Sequence, residues 1–205
     1  MAIRYLYFDL GKVLMDFDHA IGCQQIAAIS GCSAEKVDSI LFESGLEDSF
    51  ETGLLDAKQF HEQFCQASGG SPSQEELLAA CSDIFSLNVR MMPLIGQLTA
   101  VGIPMGILSN TCSAHWEHVF SRYAFLERNF QDYVLSYESK SMKPDQKIYL
   151  DAIKVANVDA NEIFFIDDKQ ENVDGAIAAG IDAVLYTTAG QAIVDLQSRG
   201  VRFNL

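Results

Sequence analysis

The chain has 205 residues, 49% of them apolar, and a formal charge of −14. That length holds one large core, or a core with a smaller inserted unit, and the acidity disfavours nucleic-acid backbones and anionic membranes as partners. No apolar stretch approaches the roughly 20 residues that span a bilayer, and five cysteines without paired close spacing argue against a disulfide framework and for a reducing, cytoplasmic setting.

The first predicted strand covers residues 3–9, an aromatic and β-branched run that ends in Asp9 and meets a glycine two residues later. Arg4 and Asp9 within it, and the lack of a small-residue cleavage site, make it a strand rather than a signal peptide. From His19 to about Arg90 the pattern predicts helices and no strand: Ile21–Ser30, Ala34–Phe42, Asp56–Ala67 and Gln74–Phe85. Ser33, Asp56 and Ser73 stand where helix caps belong, and Gly31, Gly45, Gly53 and the stretch 68–72 punctuate the block. Beyond residue 90 the elements alternate. Helix Pro93–Val101 leads to strand Ile103–Leu108, helix Ala114–Tyr123, strand Tyr133–Leu135 and helix Gln146–Val155. Strand Ile163–Ile166, helix Val173–Ala179, strand Ala183–Tyr186 and helix Gln191–Arg199 follow.

This alternation predicts an α/β fold, a Rossmann-like doubly wound parallel sheet with helices on both faces. The helical block interrupts the sheet after its first strand, so we expect residues 1–15 and 91–205 to form the core and residues 16–90 to form an inserted helical-bundle cap. Four strand ends then share one edge, where open α/β sheets bind ligands. They carry Asp9, then Ser109-Asn110-Thr111, then Lys143-Pro144-Asp145, then Asp167-Asp168. Pro144 suits the first position of a helix, which would put Lys143 at that helix's positive end. Carboxylates gathered at one point suit a hard cation such as Mg²⁺, and a nucleophile beside such a cation suits phosphoryl chemistry.

In these four segments, in their order, the sequence resembles the haloacid dehalogenase superfamily, in its phosphatase-like branch with a helical cap after the first strand. The matching stretches are 7–14, 107–111, 143–145 and 164–168, and the agreement runs along essentially the whole chain. The resemblance implies a Mg²⁺-dependent phosphatase acting on a small-molecule phosphate ester, with Asp9 as the nucleophile that forms an aspartyl-phosphate. It implies Mg²⁺ held by Asp9, the Gly11 carbonyl and Asp168, with Asp167 and Asn172 bracing that site from behind. It also implies that Ser109, Gly11 and the Asn110 backbone meet the phosphate, and that Lys143 bridges Asp9 and the phosphate. Members with Asp-Leu-Gly at this place resemble hexose-phosphate phosphatases preferring glucose 1-phosphate, which points to a sugar phosphate.

One departure matters. Most phosphatase members carry an Asp two residues past the nucleophile as general acid and base, where this chain has Gly11. General acid catalysis is worth about 10²–10⁴ in rate. Either the leaving group departs unprotonated, or Asp16, Asp18 or a cap residue supplies the proton, or turnover is lost. Two alternative functions accompany the main reading: a 2-haloacid dehalogenase, and a non-catalytic phosphometabolite-binding or interaction protein. Glu47, Phe50, Glu51 and Gly53 are cap residues with a claim on substrate contact. His115 and His118 have a spacing that binds metal, but no nearby cysteine or carboxylate pattern completes a site, so both read as helix-surface histidines. Trp116 and the cluster of Phe42, Phe50, Phe60 and Phe64 read as packing residues.

Overall fold

The computed structural model describes residues 2–205. Strand β1 (Tyr5–Phe8) lies at the centre of a five-stranded, all-parallel sheet of order β5-β4-β1-β6-β7, with β4 at Met105–Ser109, β5 at Asp132–Leu135, β6 at Ile163–Asp167 and β7 at Asp182–Leu185. All four residues of β1 are buried, as a strand covered on both faces requires. Successive side chains take opposite faces. Leu6 and Phe8 join Ile107, Phe164 and Ile166 in one apolar cluster, while Tyr5 and Tyr7 join Leu108, Ile163 and Phe165 in the other. Helices α6 (Met92–Val101), α7 (Ser113–Arg122), α8 (Phe125–Asn129) and α12 (Ala189–Ser198) contribute to the first, and α10 (Gln146–Ala156) and α11 (Gln170–Ala178) to the second. The Rossmann-like doubly wound architecture is therefore as predicted. Chain order runs outward from β1 to β5 and then returns to β6 on the other side, so the topological switch point lies at the carboxyl end of β1.

Between β1 and α6 the chain forms α1 (His19–Ser30), α2 (Ala34–Asp38), a π turn at Ser39–Glu43, α3 (Leu46–Glu51), α4 (Ala57–Ser68) and α5 (Gln74–Ser82). These build a third cluster in which Phe50, Phe60 and Phe64 are fully buried and the Phe50 and Phe60 rings stack at 4.5 Å. Helices α4 and α5 open with capping boxes, Asp56 with Gln59 and Ser73 with Glu76, which satisfy orphan N–H groups at both starts. One expectation fails here. The block is not strand-free: β3 (Phe85–Leu87) pairs antiparallel with β2 (Met15–Phe17), so the outgoing and returning chains run side by side as a ribbon. Each strand is only three residues long, and the pairing links positions about 70 apart in sequence, so local periodicity absorbed Phe85 into the preceding helix. The last short elements are α9 (Ser136–Ser139) and a 3₁₀ turn at Ala160–Glu162.

Candidate active site

Asp9 continues the sheet ladder through its own N–H, which donates to Ile166 O at 2.9 Å. Its side chain is thereby fixed over the end of the sheet. Oδ1 accepts from Leu10 N–H at 2.8 Å and pairs with Lys143 Nζ at 2.8 Å. Among the described residues no group hydrogen-bonds Oδ2. That oxygen is the one available to the cavity, whose volume is about 190 Å³ and whose wall includes Asp9, Gly11, Ser109, Asn110, Lys143 and Asp168. All of these come from the four strand ends, and Asn172 joins them from the first turn of α11.

Lys143 is 4% exposed, and a buried ammonium must place all three of its donors. It gives one to Asp9, one to Asp167 Oδ2 at 2.6 Å and one to Leu108 O at 2.9 Å. The sequence expectation had it bridging Asp9 and the phosphate. The structure has it bridging two carboxylates, with no donor left over, so a substrate oxygen meets it only by exchange for one of these partners. Burial acts to lower the lysine's pKa, but Asp9 and Asp167 outweigh burial and hold it above the ordinary range. The expected helical position of Pro144 is also corrected. Helix α10 begins at Gln146 with Asp145 as its N-cap. The Asn110 side chain clamps the preceding loop, accepting from Lys143 N–H at 2.7 Å and donating to Lys143 O at 2.9 Å. That clamp, not a helix terminus, positions the lysine.

Asp167 is fully buried and spends both oxygens internally. It accepts from Lys143, from Lys169 N–H at 2.8 Å and from Asn172 Nδ2 at 3.0 and 3.1 Å. Asp168 is part-buried and faces the cavity. Burial first, and then Asp167, push its carboxyl upward. Burial likewise pushes Asp9 up to about 7, with Lys143 opposing and Asp167 adding to the rise. Carboxylate oxygens of Asp9, Asp167 and Asp168 lie within 4.8 Å of one another. Three acids around one buried lysine are an unbalanced negative group of hard oxygen donors, which fits a hard divalent cation.

Gly11 lines the cavity, and the Phe17 ring explains its small size. A Cβ at Gly11 would lie 2.7 Å from Phe17 Cε1. The candidate replacement acids separate. Asp16 is exposed on β2, and Asp18 caps α1 by accepting from Ala20 N–H; neither lines the cavity. Asp48, Glu51 and His19 do. Glu51 is anchored to the sheet side by its own carbonyl, which accepts from Ser136 Oγ at 2.6 Å. The next residues, Thr52 and Gly53, are tied down by Met142 Sδ and Lys140 Nζ. Burial raises the Glu51 carboxyl to about 7, with Asp48 adding to the rise and Lys169 opposing it. In sequence Glu51 carried no more signal than its neighbours, because its burial depends on α9, far along the chain. Trp116 packs against Phe120 and Tyr133 away from the cavity, as expected. His115 is not a surface residue: it is 3% exposed.

This arrangement of strand ends has a family counterpart. The family description "haloacid dehalogenase-like hydrolase" matches residues 8–180. The chain belongs to that family. Among curated relatives it is similar to D-ribitol-5-phosphate phosphatase of Bacteroides thetaiotaomicron, 25% identical over 177 residues, covering 83% of this chain and 85% of the relative. It is also similar to phosphatase MT3486 of Mycobacterium tuberculosis, 24% identical over 210 residues, with 98% and 96% covered. Among solved structures, family enzyme bt-2542 of Bacteroides thetaiotaomicron, in complex with magnesium and inorganic phosphate, superposes with a TM-score of 0.80 at 26% identity, over 91% of this chain and 96% of that one.

Proposed function

We propose that this family hydrolase is a Mg²⁺-dependent phosphatase for a small phosphate monoester, with a sugar or sugar-alcohol phosphate as the substrate class. The observation that carries the reading is the Lys143 bridge: one buried ammonium holds Asp9 in place and leaves its second oxygen facing a cavity walled by Ser109, Asn110 and Asp168. The curated relatives are named phosphatases, one of them for a sugar-alcohol phosphate, and a structural neighbour was solved with magnesium and phosphate. A cavity of about 190 Å³ is small beside the ~300–1,000 Å³ of drug-sized pockets, which suits a compact polar ester.

In this reading Asp9 Oδ2 attacks phosphorus, the bond to the ester oxygen breaks, and the phosphoryl group passes to Asp9. Asp9, Asp168 and the Gly11 carbonyl are the residues that would hold Mg²⁺, which when bound neutralises charge on the transferring oxygens. Ser109 and the Asn110 backbone hold phosphate oxygens, while Asn172 and Lys169 keep Asp167 turned towards Lys143. Glu51 supplies the proton that Gly11 cannot. Its carboxyl donates to the departing alkoxide, and its carboxylate then takes a proton from the water that cleaves the aspartyl-phosphate. The helices of residues 16–90 act as a cap that limits substrate size and excludes bulk water. Five free cysteines support a reducing, cytoplasmic residence, and among the described residues no helix is long and apolar enough to cross a membrane.

The test is a panel of sugar 1-phosphates, terminal sugar and sugar-alcohol phosphates, nucleotides and 2-haloacids, assayed with Mg²⁺ and with EDTA. Phosphate release that needs Mg²⁺ and is abolished in Asp9→Asn is the expected outcome. Halide release indifferent to EDTA would instead establish the dehalogenase, and phosphometabolite binding without turnover would establish the binding protein.

A further inference from the structure

Three side chains outside the proposed chemistry meet in the interior. Glu47 on α3, Cys81 on α5 and His115 on α7 are 4%, 5% and 3% exposed, and each brings a ligand-type atom within 4.8 Å of the other two. Both Glu47 oxygens and His115 Nε2 have no hydrogen-bond partner; Glu47 Oε1 and His115 Nε2 stand 3.8 Å apart, too far to bond each other. Orphaned buried polar atoms are costly, at about 1–3 kcal/mol for each neutral group and more for a charged one, so three of them pointing at one place call for an occupant. That place is a cavity of about 10 Å³, bounded by these three residues together with His19 and Cys23, which has room for one atom-sized guest.

We propose that Glu47, Cys81 and His115 form a second metal site, taking a borderline-soft divalent ion of the zinc class at the seam between α3, α5 and the core helix α7. One oxygen, one sulfur and one nitrogen donor suit Zn²⁺, whereas Mg²⁺ takes oxygen ligands; the site is therefore chemically distinct from the Asp9 cluster. Charge favours it as well. A divalent ion with one carboxylate, one thiolate and one neutral imidazole makes a neutral unit, which an apolar interior tolerates, and the carboxyl and thiol protons leave as the ion enters. Sequence pattern could not reveal the site, because its ligands are dispersed over three helices and the metal-type spacing of His115 with His118 misleads, since His118 faces Asp83 instead. His115 and His19 also line the catalytic cavity, so an ion here would fix the helices of residues 16–90 against the wall of that cavity.

Full-length protein is titrated with Co²⁺ in excess Mg²⁺, which saturates the oxygen-only site. One equivalent should raise a near-ultraviolet thiolate-to-cobalt charge-transfer band that the Asp9 cluster cannot produce. Cys81→Ser, nearly isosteric and checked by a cooperative melt, should lose the band, and Glu47→Gln and His115→Gln should weaken binding at least about 10-fold. Zn²⁺ should displace Co²⁺ and raise the Tm of the wild type but not of Cys81→Ser. No band and no Zn²⁺ shift in the wild type would assign the cavity to a water and overturn the proposal, as would a band that survives Cys81→Ser.

Discussion

Two side chains are decisive in the proposed chemistry, Lys143 and Glu51. Lys143 pairs with Asp9 and Asp167 at once, and all three are buried. Removing a buried partner strands the charge it left behind, at about 3–5 kcal/mol. Lys143→Met should therefore lower Tm strongly at about pH 8 and less at about pH 5, where the stranded carboxyls accept protons; a pH-independent loss in thermal melts would contradict this. Glu51 makes a different prediction. If it protonates the leaving oxygen, Glu51→Gln should cut kcat about 10²–10⁴ for alkyl phosphates and far less for p-nitrophenyl phosphate, whose phenolate leaves unaided. An equal loss on both substrates would assign Glu51 to binding or packing. The sequence disclosed Lys143 and its pairing with Asp9, but not its bonds to Asp167 and Leu108 O, because those are set by segments that only the fold brings together. It named Glu51 without distinguishing it from Glu47, which lies in the same helix yet faces a separate cavity.

Among the elements, the loop after α3 carries the most consequence for its size. Gly53 has a φ of +69°, and a Cβ there would lie 2.2 Å from Tyr137 O, at the junction with α9. The left-handed backbone and the close approach both require glycine. Gly53→Ala should displace Glu51 along with the loop, costing about 1–3 kcal/mol and lowering kcat on alkyl phosphates together with Tm. A variant with wild-type kcat would show that the loop does not position Glu51. Helix α3 was missed in sequence because it is only six residues long, too short a window for periodicity to register. The capped helices α4 and α5 were legible for the opposite reason, since their capping boxes are local and complete. The β2–β3 ribbon was not, because nothing in either three-residue strand identifies its distant partner.

For the whole molecule, charge and protonation act together. Asp9, Glu47 and Glu51 have folded pKa values of about 7, 8 and 7 against ordinary values of 3.8, 4.5 and 4.5, in each case chiefly through burial. The folded chain thus holds protons that the unfolded chain has released. These groups stabilise most below their ordinary values, and the contribution is lost as pH rises through the folded ones. Metal-free protein should melt higher at about pH 5.5 than at about pH 8, and Mg²⁺ should raise Tm more at the higher pH, where Asp9 no longer has to release a proton to bind it. Melts in EDTA and in Mg²⁺ at both pH values check this; an opposite order in EDTA would mean that the buried acids are ionised throughout. The architecture itself was plain from the alternating elements after residue 90, because each strand and helix there is a local pattern and the connection rules leave few topologies. What pattern could not supply was the contact between the helical insert and the core, where Glu51 and His115 acquire their surroundings.

The proposed chemistry requires Asp9 to carry the phosphoryl group. Wild-type protein mixed with a turned-over phosphate ester and Mg²⁺, quenched in acid within a single turnover and digested for mass spectrometry, reads this directly. A phosphoryl adduct on the peptide containing Asp9, absent without Mg²⁺ and absent in Asp9→Asn, is the predicted result. Phosphate released at full rate with no adduct on that peptide, or by Asp9→Asn, would contradict it.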